Sequence, residues 1–223
     1  MNRLQTEWQR LYANDSASDG VGGVRALVLE LARPADWQAL ALLWHGVQTD
    51  LALPAPAIAV NGVDGLQLWF SLATPVPENT ALGFLDALRV RYLGDVKPAR
   101  VTLQPAVEAV PALKEESGQW SAFISRDLAA VFADEPWLDM APSPEAQADV
   151  LSRLKSTKPA DFQNALALLA PAERPPMSPA GDSVQTGPKQ FLLQVMNDPS
   201  QEMHLRIAAA QALLPYFEAA RRA

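Results

Sequence analysis

Residues 24–104 read VRALVLELARPADWQALALLWHGVQTDLALPAPAIAVNGVDGLQLWFSLATPVPENTALGFLDALRVRYLGDVKPARVTLQ, and the order of elements in this stretch decides the fold. Val24–Leu31 is an apolar run of strand length. In Asp36–Gln48 and just beyond, Trp37, Leu40, Trp44, Val47 and Leu51 recur at three- and four-residue steps, the spacing of one helical stripe. Asp36 is placed to cap that helix, with Pro34 just ahead of it. Ala57–Val60 and Leu66–Ser71 flank the turn dipeptides Asn61-Gly62 and Asp64-Gly65, which predicts a hairpin. Thr80–Tyr92 sets Phe84, Leu85, Leu88 and Tyr92 on one side of a second helix, and Gly94-Asp95 stops it. Arg100–Gln104 is a short last strand. Strand–helix–strand–strand–helix–strand is the split βαβ, ferredoxin- or RRM-like arrangement. The expected class is therefore α+β, with this core sheet, flanking helices and a small C-terminal helical hairpin.

Outward from the core, Leu4, Trp8, Leu11 and Tyr12 predict an amphipathic N-terminal helix, followed by a Gly-, Ser- and Asp-rich loop. Residues 105–118 read as a loop. Trp120–Ile124 reads as a strand, followed by a short helix from Asp127 and an acidic, aromatic turn over Asp134–Asp139. Ser143 followed by Pro144 starts a helix to about Lys155, and another spans Ala160–Ala170. The proline-rich stretch 171–188 has no periodic apolar face and reads as a linker. Lys189–Asn197 and a second helix to about Tyr216 follow, with Asp198 and Gln201 in capping-box spacing. The expected division is an N-terminal helix and loop at 1–20, an α+β domain with a helical extension at 21–170, a linker at 171–188 and a helical docking unit at 189–223. So short a terminal unit lacks the core to stand alone, so it should dock on the main domain or on a partner.

The 223 residues are 49% hydrophobic, enough for a real core. With no cysteine in the chain, disulfides, thiolate metal sites and cysteine nucleophiles are excluded. No apolar run reaches membrane-helix length, and the N-terminus lacks the apolar segment of a signal peptide. The expected setting is cytoplasmic, with no membrane partner. The net charge of −7 and sequence pI of about 4.8 repel phosphate at long range, so nucleic-acid binding would need a local basic patch.

Chemistry-bearing residues are sparse. His45 and His204 lie in different units, a poor start for a metal site or triad. No phosphate-cradling glycine loop and no serine elbow occurs. The carboxylates nearest the strands are Glu30 and Asp95. The basic residues Arg89, Arg91, Lys97 and Arg100 gather where the second core helix ends, and Arg153, Lys155 and Lys158 form a smaller patch. Within Leu66–Ser71, Leu66, Leu68 and Phe70 point one way and Gln67, Trp69 and Ser71 the other. Trp69 is therefore either a platform on the sheet or a residue covered by another part of the chain, and cover is the commoner fate of a tryptophan.

Several of these strings resemble the catalytic domain of archaeo-eukaryotic-type primases, in their bacterial and plasmid primase-polymerase branch. That family carries an acid-x-acid strand, a glycine-rich hairpin with a histidine, a G-x-D segment and an arginine-bearing strand ending at proline. Residues 28–32 (VLELA), 61–70 (NGVDGLQLWF) with Pro75, Gly94-Asp95 and 100–105 (RVTLQP) are the corresponding strings. The resemblance covers about residues 20–106. In this chain the acidic pair is reduced to Glu30-x-Ala32 and the histidine is replaced by Gln67, while Asp95 and Arg100 keep counterparts. Loss of a metal carboxylate and of that histidine removes several kcal/mol of transition-state stabilisation, which implies an inactive member. The strings at 190–199 and 205–216 are similar to a module of phage small-terminase-type proteins, which implies a phage or mobile-element setting.

Three expectations follow. The first is a non-catalytic primase-like module that binds single-stranded DNA through Lys97, Arg100, Trp69 and Gln67, or a replication or packaging protein through residues 189–223, without a cofactor. The second is a protein-interaction adaptor that never touches nucleic acid. The third is a nucleotidyl transferase holding magnesium or manganese on Glu30 and Asp95.

Overall fold

A computed structural model describes residues 2–13, 23–105, 109–115, 117–170, 192, 195–197 and 203–218. The chain divides into two units, Met1–Pro171 and Ala172–Ala223.

The first unit is built on a five-stranded sheet. Its strands are β1 (Gly23–Ala32), β2 (Ala57–Val60), β3 (Gly65–Pro77), β4 (Val101–Pro105) and β7 (Ala122–Ile124), in the spatial order β4-β1-β3-β2-β7 with every neighbouring pair antiparallel. The first four strands keep the order expected of a split βαβ core. Within 105–118, expected as a loop, Leu113–Lys114 forms β5, which pairs with β6 (Gln119–Trp120) in a two-stranded ribbon. The strand expected over Trp120–Ile124 is divided between that ribbon and the sheet. The helix expected from Asp127 is replaced by two short 3-10 turns, Arg126–Leu128 and Val131–Ala133.

The two sheet faces are buried by different helices. Leu27, Leu29, Leu31, Leu66, Leu68 and Phe70 face α2 (Trp37–Thr49), α3 (Glu78–Tyr92) and α5 (Pro159–Leu169) in the main core. As expected, Asp36 caps α2, accepting a hydrogen bond from the Ala39 amide at 3.0 Å. Helices α2 and α3 approach closely at Gly46, where any Cβ would overlap the Tyr92 ring.

The opposite face carries a second core of Val28, Ala57, Ala59, Trp69 and Phe123, covered by α1 (Arg3–Tyr12) and by α4 (Pro144–Ser152) through Leu11, Tyr12 and Leu151. Two guanidinium groups fasten this layer. Arg25 of β1 donates to Leu72 O, Ala13 O and Arg10 O, and Arg10 of α1 donates to Leu151 O and Leu154 O. Each cation thus binds carbonyls at the end of a helix, and Arg25 adds one from β3. The segment between α4 and α5 completes the attachment, with Thr157 paired to Ser71 and Ala73 of β3.

In the second unit, α6 (Met203–Glu218) corresponds to the second C-terminal helix, and Arg206 donates to Met196 O at 3.0 Å. The expected linker at 171–188 and the expected Asp198–Gln201 cap lie outside the described residues. Among the described residues no helix is long and apolar enough to cross a membrane.

Candidate functional site

The covered face of the sheet is apolar only toward β2 and β7. Antiparallel register places Thr102, Glu30, Gln67, Ala59 and Phe123 in one row across five strands, and Gln104, Val28, Trp69 and Ala57 in the next. Both rows change from polar to apolar along their length. Helices α1 and α4 cover the apolar half. The polar half is open and floors a cleft of about 790 Å³, lined by Glu30, Gln67, Gln104 and Asn61. The β5–β6 ribbon supplies its rim through Leu113 and Lys114.

A hydrogen-bond chain organises the floor. The Trp69 indole N–H donates to Gln67 Oε1 at 2.8 Å, and Gln67 Nε2 donates to Glu30 Oε2 at 2.5 Å. This orients the Gln67 amide, because the indole can only donate and the carboxylate only accept. At the hairpin, Asn61 Oδ1 accepts from the amides of Val63, Asp64 and Gly65 at 2.8–2.9 Å. That explains the NGVDG string: the asparagine carbonyl folds the loop over itself. Gly62 has φ +82°, and a Cβ there would stand 2.9 Å from the Ser121 amide nitrogen.

Of the six residues singled out from the sequence, Glu30, Gln67 and Trp69 form this chain, while Asp95, Lys97 and Arg100 stand apart from it. Glu30 and Gln67 meet directly. Trp69 is 3% exposed and packs against Tyr12 and Phe123 at ring-centroid distances of 5.4 and 5.5 Å. The open-platform reading of Trp69 is thereby corrected: α1 covers it. Arg100 uses its guanidinium on the backbone, donating to Ala32 O and Pro34 O, while Arg33 reaches back to Ala99 O. Lys97 and Asp95 are exposed in the loop between α3 and β4, and neither lines the cleft. Ala32, where the resemblance would put a second acid, is buried.

Arg89 and Arg91, the other basic residues at the end of α3, are engaged as well. Arg89 pairs with Asp86 at 2.7 Å and Arg91 with Asp50 at 3.6 Å. His45 is exposed on α2 with Arg126 Nη2 at 3.4 Å. Among the described residues no three His, Asp or Glu side chains gather as a metal site.

Sequence reasoning missed Gln104, Asn61 and Arg33. Gln104 was recoverable by counting alternation along β4 once the partner of Glu30 was known. Arg33 had no local signal, because its role depends on the loop after α3 meeting the end of β1.

No family model matches the chain, and no curated protein matches it. One solved structure with a distant similarity to the chain is the Cyanophage S-2L primase-polymerase (PrimPol), AEP domain (PP-N190). The TM-score is 0.29 and the identity 17%, with 58% of this chain and 60% of that chain covered. The terminase-like resemblance of residues 190–216 has no counterpart among these findings.

Proposed function

We propose that the first unit is a non-catalytic module of primase-like topology that works by binding a protein partner on the open half of its sheet. The observation that carries this reading is the bond from Gln67 Nε2 to Glu30 Oε2. A divalent ion needs carboxylate oxygens aimed at one point. Here an amide N–H takes one of the two oxygens of the lone carboxylate, which leaves too few for a divalent ion, and Asp95 lies away from the cleft. The floor carries a negative charge on a chain of net charge −7, which disfavours a phosphate backbone and favours a basic protein surface.

A second reading, single-strand nucleic-acid binding, is favoured by one observation. Arg33 and Arg100 bond across the junction between the end of β1 and the loop before β4, and Lys97 is exposed in that loop. One experiment separates the readings. Labelled single-stranded and duplex DNA are titrated with the full chain at low and moderate salt, and template-dependent nucleotide incorporation is assayed with magnesium and with manganese. The protein-binding reading expects no saturable DNA binding and no incorporation. Salt-weakened binding reduced by Lys97→Ala would favour the second reading, and incorporation lost in Asp95→Ala would overturn both.

A further inference from the structure

The cleft floor combines acceptors with an apolar lip. Glu30 Oε2 is engaged by Gln67, while among the described residues neither Glu30 Oε1 nor the Gln104 amide has a hydrogen-bond partner. Glu30 forms no ion pair among them either. The bond to Gln67 already restricts the carboxylate, so less side-chain freedom is lost there on binding. At the entrance stand Val63 and Leu113, 45% and 48% exposed. Large apolar side chains so open, beside a half-buried carboxylate, suit a ligand with an apolar stem and a cationic head.

We propose that this cleft takes an arginine side chain from a protein partner, the guanidinium fork on Glu30 and Gln104 and the methylene stem across Val63 and Leu113. The inference rests on the protein-binding reading and names the chemistry of that partner. A planar fork of N–H donors can reach two separate acceptors, Glu30 Oε1 and the Gln104 side-chain carbonyl, where an ammonium is a point charge, and the arginine stem covers apolar surface while its head stays polar. The rim charges of Lys114 and Glu115 have opposite sign, so Glu30 sets the sign of the floor. A guanine base offers a similar pair of N–H donors, but its phosphate would meet this carboxylate and the negative net charge.

The Trp69 indole N–H reports on the site from behind, because it is bonded to Gln67, which is bonded to Glu30. The test is a titration of the full, isotope-labelled chain, followed by the Trp69 indole resonance, with acetyl-Gly-Arg-Gly-amide, with its neutral citrulline counterpart, and with guanosine monophosphate. The expected result is a saturable shift with the arginine peptide, and binding about tenfold or more weaker with citrulline and in Glu30→Gln. The glutamine carbonyl still accepts from Gln67, so that variant keeps the floor intact. Gln104→Ala, at a half-buried position that lines the cleft, should weaken the arginine peptide without disturbing the fold. No shift with the arginine peptide, equal binding of citrulline, unchanged affinity in both variants, or tighter binding of guanosine monophosphate would each overturn the proposal. If the peptide fails while DNA binding and incorporation are also absent, the inference falls and the protein-binding reading stands. Incorporation of nucleotides would remove that reading itself.

Discussion

Gln147 grips the backbone of Phe123 from both directions: its Oε1 accepts from the Phe123 amide at 2.8 Å and its Nε2 donates to the Phe123 carbonyl at 2.9 Å. Phe123 lies on β7, the last strand of the sheet, so one side chain from α4 satisfies the backbone groups that an edge strand would offer to another chain. Gln147→Ala should leave both buried groups unpaired, lower stability by about 2–4 kcal/mol and raise the tendency to self-associate. Urea unfolding and light scattering at rising concentration check both parts.

Arg25 ties the end of α1 to β3 through Ala13 O and Leu72 O. Arg25→Met keeps much of the apolar stem and removes the donors. The expected cost is about 1–3 kcal/mol, with α1 becoming the first segment cut in limited proteolysis and the Trp69 environment becoming wetter. Native-like proteolysis and unchanged tryptophan emission would argue against this role.

Gly46 lets the Tyr92 ring lie against α2, and the Tyr92 hydroxyl then donates to Asp50 Oδ2 at 3.0 Å. Alanine has the better helix propensity by about 1 kcal/mol. The overlap of its methyl with the ring should outweigh that gain, leaving Gly46→Ala less stable by about 1–3 kcal/mol. Thermal unfolding of Gly46→Ala beside Gly46→Ala/Tyr92→Ala checks the cause, since the second change should relieve the clash.

The same pair sets two limits on pH stability. Burial, with the bond to Asp50, pushes the Tyr92 hydroxyl up to about 12. A raised value in the fold means this contribution is complete below pH 10, the ordinary tyrosine value, and is lost as pH rises toward 12. Hydrogen bonds from Thr49 and then Tyr92 hold the Asp50 carboxyl below its ordinary value of 3.8. Its contribution is therefore present above that value and lost as pH falls below it. Tyr92→Phe should flatten the alkaline loss and part of the acid loss, as read by denaturant unfolding across pH.

Arg100 and Lys97 are neighbours in sequence and differ in role. Arg100 holds Ala32 O and Pro34 O at the end of β1, so Arg100→Ala should cost about 1–3 kcal/mol. Exposed Lys97 should be replaceable by alanine within about 0.5 kcal/mol. A loss of any ligand in Arg100→Ala therefore counts only beside a matched unfolding measurement.

The sequence by itself determined the strand–helix order from Val24 to Gln104, because alternation, helical spacing and the NGVDG turn are local signals that bind neighbours within a few residues. It also determined that Gln67, Trp69 and Ser71 share a face, since a strand has a period of two. Only the tertiary structure decided that α1 and α4 close over Trp69, because alternation assigns a face but does not say what covers it. The same holds for β7 joining the sheet through three residues, for Glu30 meeting Gln67 across 37 positions of chain, and for Arg100 turning inward onto carbonyls. These contacts depend on register and on helix docking between distant segments, where the free energy comes from jointly burying surfaces that no single stretch of sequence contains.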